Sequence, residues 1–338
     1  MKTMKILLSC LLAVLMATQV SIAQDRKAGL TGAAFLKVGV GARAVGLGTA
    51  VTALTGDVNQ MFYNPAGIAL TDETFQASFS YNKWIADIGH NSAAVSYNLE
   101  GIGTIGVGFI SFGVSDIEAV RDIPIDPTLS PDQVDFTTSA TYDYRDLAYQ
   151  VTFARNVIEQ LSLGITLKGI SQSIDGESVT AVAVDFGSVY HIGVLGWTIA
   201  ARFNNLGGDL KYYDIASALP LQFSIGTALV PVRSEQVAIM VALDATKPQD
   251  GPLYLFSGAE ATFMDLFSVR AGYKLNYSGV DETTFAGTPA IKATIEGISA
   301  GAGLKTTVGG YTVGIDYSYT QMDLLDAAHR ISVQIGMK

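Results

Sequence analysis

A period of two governs most of this chain. Leu161, Leu163, Ile165 and Leu167 alternate with Ser162, Gly164, Thr166 and Lys168. Further on, Leu195, Trp197, Ile199, Ala201 and Phe203 alternate with Gly196, Thr198, Ala200, Arg202 and Asn204. Phe267, Val269, Ala271, Tyr273 and Leu275 are set against Ser268, Arg270, Gly272, Lys274 and Asn276, and Tyr311, Val313, Ile315, Tyr317 and Tyr319 against Thr312, Gly314, Asp316, Ser318 and Thr320. Successive side chains of a strand point to opposite faces, so each segment has one apolar and one polar face. A helical period does not produce this pattern.

About fourteen such segments follow from Phe75, near 75–84, 90–99, 102–113, 144–156, 160–173, 179–192, 194–204, 220–231, 235–246, 252–262, 265–276, 296–306, 309–320 and 328–338. Each is roughly 10 to 13 residues long, enough for a tilted strand to cross a bilayer. Charged residues make up only 15% of the chain, against about 25% in soluble domains. No run beyond residue 23 has the length of an apolar membrane helix. Lipid tolerates no unpaired backbone groups, so a membrane chain without spanning helices must close its strands into a barrel. The sequence therefore predicts an all-β fold, an antiparallel transmembrane barrel of about fourteen strands spanning 75–338.

The connections alternate in length. Tight ones fall at Glu100-Gly101, 156–160, 192–194, 231–235, Met264-Asp265 and 307–310, and longer ones at 85–89, 114–143, 174–178, 205–219, 247–251, 277–295 and 321–327. This is the pattern of short periplasmic turns and longer outer loops. The 114–143 loop carries Asp116, Glu118, Asp122, Asp126, Asp132, Asp135 and Asp143 against Arg121, with Pro124, Pro127 and Pro131. It reads as a solvated segment, with Ca²⁺ or a partner as open alternatives.

The N-terminus reads as an export signal. Lys2 and Lys5 precede an apolar run from Ile6 to Val20, and Ser21-Ile22-Ala23 is a small-x-small cleavage site. Residues 1–23 are thus a signal peptide, and the run is too short for a spanning anchor. Cys10, the only cysteine, lies within it, so the mature chain has no disulfide. With a net charge of −10, no nucleic-acid partner is expected.

Between signal and barrel, residues 24–74 do not alternate. Gly39-Val40-Gly41-Ala42-Arg43-Ala44 satisfies the dinucleotide fingerprint G-x-G-x-x-G/A, with Asp57 downstream. Export argues against it, because nicotinamide cofactors are scarce outside the cytoplasm. The stretch is glycine- and alanine-rich and helix-compatible near 48–55, so it reads as a short, partly helical hatch filling the lumen. Eight strands are plugged by their own side chains and sixteen leave a channel, so fourteen need an insert.

The run from Gly32 through Gly39, Gly41, Arg43 and Gly46 to Gly48, followed by Asp57 and then Asn64-Pro65-Ala66-Gly67, resembles the N-terminal signature of the PorV/PorQ outer-membrane proteins, relatives of the FadL-type transporters. Asn204-Asn205-Leu206-Gly207 with Leu219-Pro220-Leu221 is a second matching stretch. The resemblance implies a fourteen-strand barrel with an N-terminal hatch carrying the Asn-Pro-Ala motif. It also implies a role in type IX secretion, with the translocon and secreted cargo as partners. The FadL relationship implies instead transport of small hydrophobic compounds. On this reading the glycines pack hatch backbone closely, and Arg43 pairs in the lumen with a carboxylate such as Asp185 or Glu260. Asn64-Pro65 is either an ordinary turn or a hatch latch. The chain ends Ile335-Gly336-Met337-Lys338, without the terminal aromatic residue common in such barrels.

Strand phase assigns Lys168, Asp185, His191, Arg202, Glu260, Arg270, Lys274, Asp316 and Arg330 to the lumen, either as mutual ion pairs or as an electrostatic lining for a solute. The inward set is mostly small and polar, which favours the secretion role over an apolar pathway. His90, His191 and His329 lack ligand spacing, and no nucleophile elbow or P-loop occurs. No enzyme activity, metal or cofactor is expected.

Overall fold

A computed structural model describes residues 29–122, 136–277, 296–322 and 325–338. Fourteen strands close into one antiparallel barrel: β1 (Phe75–Lys83), β2 (Gly89–Leu99), β3 (Gly103–Asp122), β4 (Phe136–Ile158), β5 (Leu161–Ile174), β6 (Glu177–His191), β7 (Thr198–Gly207), β10 (Gln222–Arg233), β11 (Val237–Pro248), β12 (Tyr254–Phe263), β13 (Phe267–Leu275), β14 (Glu296–Val308), β15 (Tyr311–Met322) and β16 (Ala328–Met337). The remaining two, β8 (Leu210–Tyr212) and β9 (Ile215–Ser217), form a separate hairpin. Closure is in register: Phe75 pairs with Met337 of β16 on one side and Tyr97 of β2 on the other. The signal-peptide segment 1–23 lies outside the described residues.

Alternation is strictest in β15, where every second residue is buried. Its outer residues Tyr311, Val313, Ile315 and Tyr317 are exposed, as are Phe79, Val107, Leu163, Leu167, Phe203 and Val269 on other strands. Such a belt is costly in water and suited to lipid. Among the described residues no helix is long and apolar enough to cross a membrane; the chain crosses with strands.

Three expectations need correction. The 114–143 segment is not all loop: β3 runs to Asp122 and β4 begins at Phe136, paired across two bulges. β2 stops opposite Gly113 and β5 opposite Tyr144, so this hairpin continues past both neighbours. Its residues 123–135, with Asp126, Asp132 and Asp135, lie outside those described. Likewise 205–219 is not only loop, since β7 extends to Gly207 and β8 and β9 follow. Finally, Trp197 does not lie within a strand. Leu195 and Gly196 take positive φ values of 53° and 60°, so the chain turns there and β7 begins at Thr198. Trp197 is half-buried and its Nε1 donates to Thr227 Oγ1 at 2.9 Å.

Residues 29–74 run inside the barrel. Gly32 donates its backbone N–H to Ala218 O at 2.9 Å, near the end carrying the longer connections. The segment then descends through a 3-10 turn (Ala34–Lys37), helix α1 (Ala42–Gly46) and two more 3-10 turns, Val58–Phe62 and Pro65–Ala69, before entering β1. Wall and insert touch where neither has a side chain. A Cβ on Gly272 of β13 would sit 2.0 Å from Gly48 N.

Candidate functional site

The lower lumen, toward the short turns, is built from charge. Glu260 and Arg270 are cross-strand partners on β12 and β13. Arg270 Nε donates to Glu260 Oε2 at 2.5 Å, and its Nη1 donates to Asp316 Oδ1 at 2.5 Å. Gly303 lies between, where a Cβ would fall 2.2 Å from Asp316 Oδ1. Arg43, presented by α1, joins the row with two bonds to Glu260, Nη2 to Oε1 at 2.8 Å and Nε to Oε2 at 3.0 Å. Such a bidentate fork is the strong form of this interaction. The Glu260 carboxylate is the main cause that raises the Arg43 pKa above its ordinary value. Asp57 is 3.7 Å away from Arg43 Nη1. Beneath this row opens a polar cup of about 520 Å³, lined among others by Asp57, Glu73, Lys305 and Lys338.

Asn64 ties the insert to the wall. Its Oδ1 accepts from Ala66 N at 3.2 Å, capping the turn begun by Pro65. Its Nδ2 donates to Thr52 O at 2.7 Å and to Ser188 O of β6 at 3.2 Å. It is thus both a turn cap and a cross-link. Gly187 makes room for it, since a Cβ there would meet Asn64 Oδ1 at 1.9 Å. The rest of the motif packs alongside: Ala66 and Gly67 are buried, Gly41 precedes α1 with φ 79°, Gly39 packs on Val45 and Thr49, and Gly46 abuts Gly301.

The second matched stretch forms the middle of the lumen. A register shift between Val184 and Phe186 lets β7 bulge inward, with Asn205 at φ 64°. Asp185 there accepts from Asn205 N (2.7 Å) and Asn204 Nδ2 (3.0 Å) and pairs with Lys168 (2.6 Å). Asp185 is therefore engaged away from Arg43. Arg202 lies over the Tyr63 ring, 5.4 Å from its centroid. The Tyr63 hydroxyl accepts from Val40 N at 2.7 Å, and burial pushes its pKa up to about 12. Lys274 pairs with Glu296 and lies over the Tyr277 ring, while Arg330 lies beside His90. His191 stands apart, half-buried at the end of β6 near Thr198.

Above the middle the lumen turns aromatic. Phe35 of the insert stacks near Phe112 of β3 at 6.2 Å, and Phe112 meets Tyr144 at 6.3 Å. Across the lumen Tyr254 and Phe256 of β12 pack on Tyr277 at 5.0 and 5.7 Å. Ile110, Ile170 and Leu210 join this core. The expectation of a mostly small and polar lining fails here. The signal was present: Ile110, Phe112, Tyr254 and Phe256 share the inward phase of their strands, but only placement relative to the insert shows them gathered at one end. The insert is strapped across this end by Lys37 Nζ and Thr31 Oγ1, which donate to Asp250 Oδ2 at 2.8 and 2.5 Å. Burial would raise the Asp250 pKa, but the bonds from Lys37 and Thr31 outweigh it and hold it below the usual range. A cavity of about 50 Å³ remains between strap, Arg202 and the Tyr254–Tyr277 wall. Among the described residues no group of acidic, His or Cys side chains is arranged to hold a metal ion.

No family model and no curated protein sequence matches the chain. Its fold is shared with solved structures. The toluene transporter TbuX of Ralstonia pickettii superposes with a TM-score of 0.59 at 13% identity, over 89% of this chain and 99% of that one. The Pseudomonas putida toluene transporter TodX gives 0.54 at 11% identity, over 88% and 97%. A Pseudomonas aeruginosa FadL homologue gives 0.51 at 10% identity, over 88% and 98%. At these identities the likeness is one of fold.

Proposed function

We propose that this barrel lies in the outer membrane and passes small apolar compounds, with residues 29–74 as the hatch. The carrying observation is the aromatic cluster at the upper end of the lumen, where Phe112, Tyr144, Tyr254, Phe256 and Tyr277 of the wall gather with Phe35 of the hatch. An apolar solute leaving water gains about 25 cal/mol per Å² of surface it buries there. The fold shared with proteins described as toluene transporters supports the same reading. The hatch, held below by Arg43 and above by Lys37, then sets when solute passes.

The test is uptake of radiolabelled toluene by cells with and without the barrel. Faster uptake with the barrel, lost in Phe112→Ala, is the expected result; equal uptake rejects transport. The type IX secretion role is a second reading, resting on the PorV/PorQ resemblance and favoured by one feature, the β3–β4 hairpin standing beyond its neighbours. A pull-down from outer membrane, scored for a translocon or secreted cargo, tests that role.

A further inference from the structure

Three side chains lining the 50 Å³ cavity carry an unsatisfied atom. Gln150, Arg202 and Asn204 are each at least nine-tenths buried. Among the described residues, Gln150 Oε1, Arg202 Nε and Asn204 Oδ1 have no hydrogen-bond partner. The two amides cannot turn to correct this. Gln150 Nε2 donates to Met61 O at 2.9 Å, and Asn204 Nδ2 donates to Tyr63 O at 2.7 Å and to Asp185. Those acceptors have no proton to offer, so each amide must keep its nitrogen toward the hatch and its oxygen free. The lining of the cavity thus carries two fixed acceptors and the Arg202 guanidinium as donor, with its Nε unpaired.

That set discriminates between ligand classes. A carboxylate accepts from Arg202 but faces two acceptor oxygens with nothing to donate. A cation suits the oxygens but meets the charges of Arg202 and Lys168. A pure hydrocarbon leaves all three atoms unpaired, each at the cost of a buried, unmade hydrogen bond. A hydroxyl both accepts and donates. The rest of the lining, Ile110, Phe62, Tyr254, Phe256 and Tyr277, is suited to a ring.

We infer that this cavity selects an uncharged solute of the phenol class, an apolar ring bearing one hydroxyl, which accepts from Arg202 Nε and donates to Gln150 Oε1 or Asn204 Oδ1. The inference rests on the transport reading and sharpens its substrate. At about 50 Å³ the cavity holds the hydroxyl end; seating the ring requires the neighbouring 36–40 strap to yield.

The experiment is calorimetric titration of the purified full-length barrel with p-cresol, toluene and p-toluate, which share a ring and differ in the polar group. We expect p-cresol to bind at least tenfold more tightly than either of the others. In Arg202→Met, with folding checked by heat-modifiable gel migration, the p-cresol to toluene ratio should fall to about one. Gln150→Met should lower it by less, because Asn204 Oδ1 still accepts. Equal affinities for p-cresol and toluene in the natural protein overturn the inference, leaving a water site, and so does tightest binding of p-toluate. These ratios need no variant, so a misfolded Arg202→Met does not protect the idea. Toluene uptake without p-cresol preference rejects this inference and keeps the transport reading; absence of binding and uptake for all three rejects both.

Discussion

The two ends of the lumen are lined by the same strands in the same alternation, yet they hold the hatch by opposite means. Toward the short turns, the half-buried Arg43 and the buried Glu260, Arg270 and Asp316 form a row of alternating charge over a polar cup. Toward the longer connections, aromatic rings from β3, β12 and residue 277 surround a strap fixed by a single carboxylate, Asp250. The lower end is held by several mutually dependent ion pairs, whereas the upper end has one ionic tie amid apolar surface. Motion should therefore begin at the top.

The largest effect should come from abolishing the contrast. Deleting residues 28–70 removes both attachments and should turn a closed barrel into one with clear single-channel currents in planar bilayers, because fourteen strands do not fill their own lumen. If the deleted and intact proteins conduct alike, the hatch does not seal the lumen.

Cutting the lower attachment comes next. Glu260→Gln leaves the half-buried Arg43 and the buried Arg270 with one carboxylate fewer, and breaking a buried pair such as Arg270–Glu260 costs about 3 kcal/mol or more. Ala44 is buried in α1, and the only natural cysteine is Cys10. A reporter Ala44→Cys should therefore label about a hundredfold faster in the Glu260→Gln background. An unchanged rate would mean that shape, through Gly272 and Gly187, holds the hatch without help from charge. For scale, Leu163→Arg on the lipid face should cost about 2–4 kcal/mol and lower barrel yield.

How much of this contrast was legible in the sequence follows from what alternation encodes. A period of two gives the side of the wall, so the burial of Lys168, Arg202, Glu260, Arg270 and Asp316 follows from phase alone. It does not give height. Phe112 and Gly106 share a phase on β3, but one meets Phe35 and the other faces Met61 of the hatch. Pairing of Arg43 was legible as charge complementarity; the choice of Glu260 over Asp185 was not. That choice depends on a bulge in β6 and β7 which commits Asp185 to Asn205 and Lys168. Strand ends were misread where a hairpin continues past its neighbours, since polar β3 and β4 residues beyond the lipid no longer need to alternate.

A smaller effect should separate the chamber from the latch. Phe112→Ala removes a ring touching Phe35, His90 and Tyr144. Toluene uptake should fall by about tenfold, corresponding to about 1.4 kcal/mol, while Ala44→Cys labelling stays as it was. A large rise in labelling would show that the two ends are one mechanical unit.

The smallest effect is a pH response confined to the upper end. The Asp250 pKa is lowered in the folded chain, below an ordinary value of about 3.9. A depressed carboxylate contributes stability that is complete above the ordinary value and is lost as pH falls through the folded one. The Lys37 and Thr31 tie should thus be intact at neutral and mildly acid pH and should release only in stronger acid. Arg43 keeps its charge throughout, its pKa being raised further by Glu260. Leu30 is 65% exposed, so a fluorophore on Leu30→Cys reports the strap without disturbing the core. Its anisotropy should hold between about pH 7 and pH 5 and drop only in acid below the ordinary carboxylate value of about 3.9, and in Asp250→Asn it should be low at every pH. If the anisotropy instead falls between pH 7 and pH 5, a group with a higher pKa holds the strap. If Asp250→Asn behaves as the natural chain does, the packing of Phe35 and the backbone bond of Gly32 to Ala218 keep the upper end closed without the ionic tie.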